Sequence, residues 1–202
     1  ATLRAADRVV SLSDFEDRVA TSPGVHQALV DLVWDGFQPA TCLTVAIAGQ
    51  TESGGGEQIL SRLRQEAAAI EVLTGSVHVL PASVQTFKLD VEVLATTVDD
   101  SVAFELQLQQ VLIDYFGIPN RRLVQPVARS EVQVSLANVQ GVQDVRIHGF
   151  GLVHEHQEAD VSVLHARPAR WDVPSGRLKP AEILTIDPDH ITISVQYLEG
   201  AQ

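Results

Sequence analysis
A single cysteine, Cys42, stands among the 202 residues, so the chain can form no internal disulfide and cannot build a thiolate metal site alone. Cys42 opens an apolar run, where a thiol packs as a small buried hydrophobe. Positive charge is also scarce: 14 Lys and Arg against 26 Asp and Glu, for a formal net charge of −12. Nucleic acid is engaged first through its phosphates, which calls for a basic face; no nucleic-acid partner is expected. Long hydrophobic runs are missing. Apolar stretches such as 43–48 are strand-length, far short of the ~20 residues that cross a bilayer as a helix, and no membrane insertion is expected. The start, Ala1-Thr2-Leu3-Arg4, turns polar at once, so no secretory leader is read there. The first residue is not Met and 3–10 reads as a linker entering a domain, as in a processed chain or the C-terminal piece of something longer.

What is present suits one soluble domain or two small ones: 45% hydrophobic and 20% charged residues, enough apolar material for a real core. Ser13 with Glu16 reads as a capping box opening a short helix, which stops at Ser22-Pro23-Gly24. Strands at 28–34 and 43–48, joined by a loop at 35–39, read as an antiparallel pair. After the glycine-rich loop 49–56, a helix over 57–73 places Ile59, Leu63, Ala67 and Ile70 on one face. The clearest strand is 85–95, where Phe87, Leu89, Val91 and Val93 alternate with Lys88, Asp90 and Glu92, so one face is buried and the other wet. Asp99-Asp100-Ser101 then caps a helix to about 116, with Phe104, Leu108, Val111, Leu112 and Tyr115 as its stripe. A connection over 117–126, a helix from about 128 and a strand at 144–148 follow. Residues 149–180 lack a clean period and read as a long extension. The end reads as a hairpin: a strand at 183–187, a turn at Pro188-Asp189, and alternating Ile191, Ile193, Val195 and Tyr197.

One internal similarity stands out. Ser13 precedes Gly24-Val25 by the interval that separates Ser130 from Gly141-Val142, and Phe15, Val19 and Ala28 then match Val132, Leu136 and Val145. The expected class is α+β: two small modules of antiparallel or mixed sheet with helices packed on one face, plus the C-terminal hairpin. The expected domains are 1–80 and 81–202, the second carrying the 149–180 extension.

Chemistry is thinly represented. His154 and His156 flank Glu155, with Glu158, Asp160 and His165 nearby; His-x-His on a strand puts both imidazoles on one face, a start for a metal site. A metal-binding module or metal-dependent enzyme on His154, His156 and His165 is thus one alternative, and a solvated polar loop the other. Gly54-Gly55-Gly56 precedes a helix, but Glu57 stands where a phosphate-binding loop needs lysine. Asp99-Asp100 and Asp187/Asp189 sit where Asp favours caps and turns. There is no Gly-x-Ser-x-Gly elbow, and Cys42 has no histidine close in sequence. No catalytic residue, cofactor or metal is assigned. The segment Arg167-Pro168-Ala169-Arg170-Trp171, with Arg177 and Lys179, concentrates cations in an acidic chain. Trp and Arg dominate interface hot spots, so Arg167, Arg170, Trp171, Arg177 and Lys179 are candidate partner-binding residues, for subunit contact or for a receptor- or glycan-binding module.

The run Leu3-Arg4-Ala5-Ala6-Asp7-Arg8-Val9-Val10-Ser11-Leu12-Ser13-Asp14-Phe15-Glu16-Asp17, followed by Ser22-Pro23-Gly24-Val25, resembles the baseplate J-like family of contractile phage tails and related injection systems. A second block, from Val124-Gln125-Pro126-Val127 through Ser130-Glu131-Val132 to Gly141-Val142, resembles it too, as do strand 88–93, the helix from Ser101 and the strand at 183–187. The 149–180 extension does not, and the larger N-terminal region usual in the family is missing. The resemblance implies a structural wedge component with no catalytic residues. Its implied partners are other wedge subunits, hub or spike, and sheath or tube proteins, in a hetero-oligomer of six wedges around a spike. It also implies assembly in the bacterial cytoplasm into a phage tail or an injection particle.

Overall fold
The computed structural model describes residues 11–47, 56–69, 76–96, 100–154 and 161–198. In chain order its elements are α1 (Leu12–Ala20), β1 (Val25–Trp34), β2 (Pro39–Ile47), α2 (Glu57–Ala68), β3 (Ser76–Pro81), β4 (Ser83–Ala95) and α3 (Ser101–Phe116). There follow a 3-10 turn (Ile118–Asn120), β5 (Val127–Ala128), α4 (Arg129–Ala137), β6 (Val142–Leu152), β7 (Val163–Leu164), β8 (Arg170–Asp172), β9 (Arg177–Lys179) and β10 (Glu182–Tyr197). The chain divides into two compact units, Ala1–Val84 with Arg167–Glu182, and Gln85–Ala166 with Ile183–Gln202. The α+β class, with small antiparallel and mixed sheets, is what the structure shows.

In the first unit the sheet order is β1-β2-β3. β1 and β2 run antiparallel through the turn at 35–38, and β3 returns parallel to β2 after α2, the crossover a parallel pair requires. Leu43, Val45 and Ile47 on one face of β2 meet Phe15 and Val19 of α1 and Leu60, Leu63 and Ala67 of α2. The other face of β2, carrying Cys42 and Thr44, is met by segment 167–182: Ala181 N–H donates to Thr44 Oγ1 at 3.0 Å and Ala169 N–H to Asp31 Oδ2 at 3.3 Å. Burial on both faces explains why this strand reads as an unbroken apolar run.

In the second unit the sheet order is β10-β4-β6, with β4 antiparallel to β6. Phe87, Leu89, Val91 and Val93 project into a core completed by Phe104, Leu108, Leu112 and Phe116 of α3 and by Val132 and Leu136 of α4.

The internal similarity is structural as well. α1 and α4 have 9 residues each, and each ends in the same set of bonds. Thr21 N–H donates to Asp17 O (3.2 Å), Ser22 to Val19 O (2.9 Å) and Val25 to Ser22 O (3.1 Å); their counterparts are Asn138 to Val134 O (3.2 Å), Val139 to Leu136 O (3.0 Å) and Val142 to Val139 O (3.1 Å). Gly24 (φ +84°) and Gly141 (φ +98°) occupy the left-handed position that ends each turn, a conformation that a side chain on Cβ disfavours.

Several expectations are corrected. Ser11, not Ser13, caps α1: its Oγ accepts Asp14 N–H at 3.1 Å. Glu16 turns instead to the sheet and accepts Val30 N–H at 2.9 Å, because an edge-strand donor otherwise has no ladder partner. α4 does begin next to Ala128 as expected, but its N-cap Ala128 has no side-chain acceptor, and Glu131 Oε2 accepts the Ala128 N–H at 3.4 Å. On α3 the buried stripe takes Phe116, and Tyr115 is exposed. α2 ends at Ala68, and Ile70 lies outside the described residues. The 149–180 segment is not one loop: 149–152 completes β6, and β7, β8 and β9 follow. The turn expected at Pro188-Asp189 is not formed, since β10 runs unbroken from Glu182 to Tyr197. An edge strand tolerates the N–H that proline lacks, and β10 is at the edge of its sheet.

Candidate functional site
Segment 167–182 leaves the sheet and returns at one point. Arg167 N–H donates to Glu182 Oε2 (2.9 Å) while Glu182 N–H donates to Arg167 O (2.9 Å), and Glu182 Oε1 takes the Arg170 guanidinium at 2.8 Å. Between these ends β8 and β9 form a hairpin pairing Arg170 with Lys179, Trp171 with Leu178 and Asp172 with Arg177. Its turn is held by Asp172, which accepts the Ser175 hydroxyl and, at 3.1 Å, the Ser175 N–H. The Ser175 hydroxyl is the main cause of a carboxyl pKa below the ordinary value. The structure thus brings Arg170, Trp171, Arg177 and Lys179 onto one small hairpin. Arg170 is committed to Glu182, whereas Arg167, Arg177 and Lys179 are exposed.

The Trp171 ring lies on Gly36 in the β1–β2 turn. A Cβ built on Gly36 would stand 2.5 Å from Trp171 Cζ2, and Gly36 has φ +97°. Gly36→Ala is therefore expected to cost more than about 1 kcal/mol and to lift the indole off the turn. The check is chemical denaturation together with the tryptophan emission maximum, which should move to the red. Next to Gly36, Phe37 is 87% exposed, Leu32 67% and Trp34 54%, and Val173 at the hairpin tip is 79% exposed. The sequence reading missed these. Phe37 beside glycine in a short turn, where nothing can cover it, was the one available signal.

The same turn holds an acid-sensitive carboxylate. Asp35 accepts the Ser76 hydroxyl at 2.6 Å and the N–H groups of Gln38 (2.9 Å) and Phe37 (3.0 Å). The Ser76 bond first, then the two backbone donors, pull its pKa from 3.8 to about 2. A depressed carboxyl pKa stabilises the fold above the unfolded value and ceases to as pH falls through the folded one. Asp35→Asn is accordingly expected to flatten the loss of stability between about pH 4 and pH 2, read by denaturant midpoints across that interval.

One row across the first sheet has the residue types of a thiol hydrolase: Asp31 pairs with Cys42, and Cys42 with His78. The chemistry is set against that use. Cys42 is fully buried, and burial pushes its thiol up to about 11, with the charge of Asp31 adding to the shift. Nucleophilic cysteines need the opposite, a lowered pKa and access. His78 Nε2 stands 3.3 Å from Ser76 Oγ and 3.7 Å from Asp35. Burial also raises the pKa of Asp31.

The histidine alternative finds no geometric support. His154 and His165 are exposed, His156 lies outside the described residues, and no group of three potential ligands forms among the described residues. A shallow groove of about 240 Å³ in the second unit is lined by Val102, Glu105, Leu106, Gln109, Ile191 and Ile193, below the ~300–1,000 Å³ of small-molecule sites. No helix among the described residues is long and apolar enough to cross a membrane.

Residues 7–80 match the family model of the Baseplate J-like central domain. A chain in the cryo-EM structure of the anti-feeding prophage (AFP) baseplate, 6-fold symmetrised, has the same fold with a TM-score of 0.56 at 14% identity. The match covers 93% of this chain and 40% of that one, so the present chain spans well under half its length. No curated protein matches.

Proposed function
From the premise that residues 7–80 carry a Baseplate J-like central domain, we propose that the chain is a structural wedge component of the baseplate of a contractile tail or injection system, with a non-catalytic role. The observation that carries this is the coincidence of the matched stretch with the elements from α1 to β3, the sheet and helices of the first unit. Its partners are other wedge subunits, with hub or spike and sheath or tube proteins nearby, in a six-fold hetero-oligomer assembled in the bacterial cytoplasm and carried in a phage tail or injection particle. Arg167, Arg170, Trp171, Arg177 and Lys179 serve subunit contact in this reading. Arg170 acts indirectly, by holding the hairpin through Glu182.

Co-expression with the remaining baseplate proteins, followed by cryo-EM of the purified particles, is expected to place this chain at a repeated position in the baseplate. Particles that assemble without it would overturn the proposal.

A further inference from the structure
We propose that the open end of β1, with the adjoining β8–β9 hairpin, receives a short extended segment of a partner protein in which acidic and apolar residues alternate. This deepens the assembly reading above and rests on it.

The backbone parity of β1 comes first. Val30 N–H is bonded to Glu16 rather than to β2, while Asp35 N–H closes the turn on Gln38 O. In an antiparallel pair the groups facing the partner strand and those facing outward alternate by residue. The N–H and C=O of Leu32 and Trp34 therefore point outward with those of Val30, along the edge of the β1-β2-β3 sheet. Edge strands are ordinarily blunted by charge, proline or a covering element. Here α1 does so at Val30 through Glu16, and beyond it the edge carries exposed Leu32 and Trp34 and leads into exposed Phe37. A strand laid there gains main-chain bonds and apolar contact together.

Charge selects the occupant. Trp171 against Gly36 fixes the hairpin beside this end, and Arg177 and Lys179 on it are exposed, with Asp172 across the hairpin from Arg177. A chain of net charge −12 that gathers exposed cations beside an apolar edge fits carboxylates flanking apolar side chains. A nucleic acid or sulfated glycan would leave the apolar edge and its outward main-chain groups unused.

The two tryptophans of the chain, Trp34 and Trp171, both lie here, so their fluorescence reports occupancy. The probe is a blocked hexapeptide alternating Glu and Val, titrated into the full chain. A saturable change that weakens with salt is expected. It should weaken by about tenfold when alternate peptide nitrogens are methylated, in Leu32→Pro, which removes one outward donor, and in Arg177→Glu/Lys179→Glu. No response, equal binding of the N-methylated or of a Lys/Val peptide, or equal binding of heparin at the same residues would each overturn the inference. A chain that enters baseplate particles yet ignores the peptide refutes only this inference; one that binds the peptide but never enters a particle refutes only the assembly reading.

Discussion
Phe87→Ala is expected to destabilise the second unit by about 3–5 kcal/mol, the cost of deleting a fully buried aromatic ring. Phe87 has no exposed surface and stands edge-on to two other rings, Phe116 at 5.7 Å and Phe150 at 5.9 Å. It thereby ties the middle strand β4 to the last turn of α3 and to β6 in one contact set. Edge-to-face pairs of this kind add about 0.5–1.5 kcal/mol beyond area burial, so Phe87→Leu, which refills much of the volume, should recover part of the loss but not all. Tryptophan fluorescence is the wrong readout, because Trp34 and Trp171 belong to the first unit. Amide exchange of α3 and β4 is the right one: protection there should fall by two or more orders of magnitude, each order being about 1.4 kcal/mol. Unchanged protection would mean that the aromatic trio does not organise this core.

The second large effect is expected at Arg121, which is 1% exposed yet charged. Its guanidinium donates to the carbonyls of Gln125 and Pro126, lies 5.7 Å from the centre of the Phe116 ring, and has the Glu131 carboxylate at 4.0 Å. Burial lowers its pKa, and Glu131 opposes that shift. These contacts fold the 117–126 connection over its own arginine. The same connection holds Val124 at φ +62°, a left-handed conformation that a β-branched residue adopts only under constraint. Arg121→Ala leaves two carbonyls without that donor and should cost about 2–6 kcal/mol, at about 1–3 kcal/mol for each unsatisfied group. Arg121→Lys should recover little, since an ammonium lacks the second nitrogen that faces Glu131 while Nη2 bonds both carbonyls, and the planar group that lies by the Phe116 ring. Urea unfolding combined with amide exchange over 117–131 measures both; a Lys variant as stable as the parent would show that charge, not geometry, is what the loop requires.

Much of the secondary structure was legible because it is written in local periods. The alternation from Phe87 to Val93 and the four-residue spacing of Phe104, Leu108 and Leu112 declare which face is buried whatever covers it. The α1–Gly24–β1 and α4–Gly141–β6 repeat was visible for the same reason: a short helix, a glycine and a strand follow in fixed order. Legibility failed where two local solutions were nearly equal, as between Ser11 and Ser13 for the cap. It failed again at Pro188, where the outcome depended on whether the strand lay at a sheet edge. Of the candidate residues at 167–179, the structure sets Arg170, Trp171, Arg177 and Lys179 on one hairpin. Their division into a committed Arg170 and exposed Arg177 and Lys179 was not readable, because Glu182 sits twelve residues beyond Arg170.

By itself, then, the amino-acid order determined the α+β character, the apolar faces, the scarcity of cations and the resemblance to baseplate J-like proteins, all properties of short windows or of composition. Only the tertiary structure decided that Asp31, Cys42 and His78 share a row with a buried, protonated thiol. It alone returned segment 167–182 to the first unit and left Leu32, Trp34 and Phe37 uncovered. Strand pairing, burial and the accessibility of an edge are set by contacts between residues far apart in the chain, and a local pattern carries no record of which distant partner arrives.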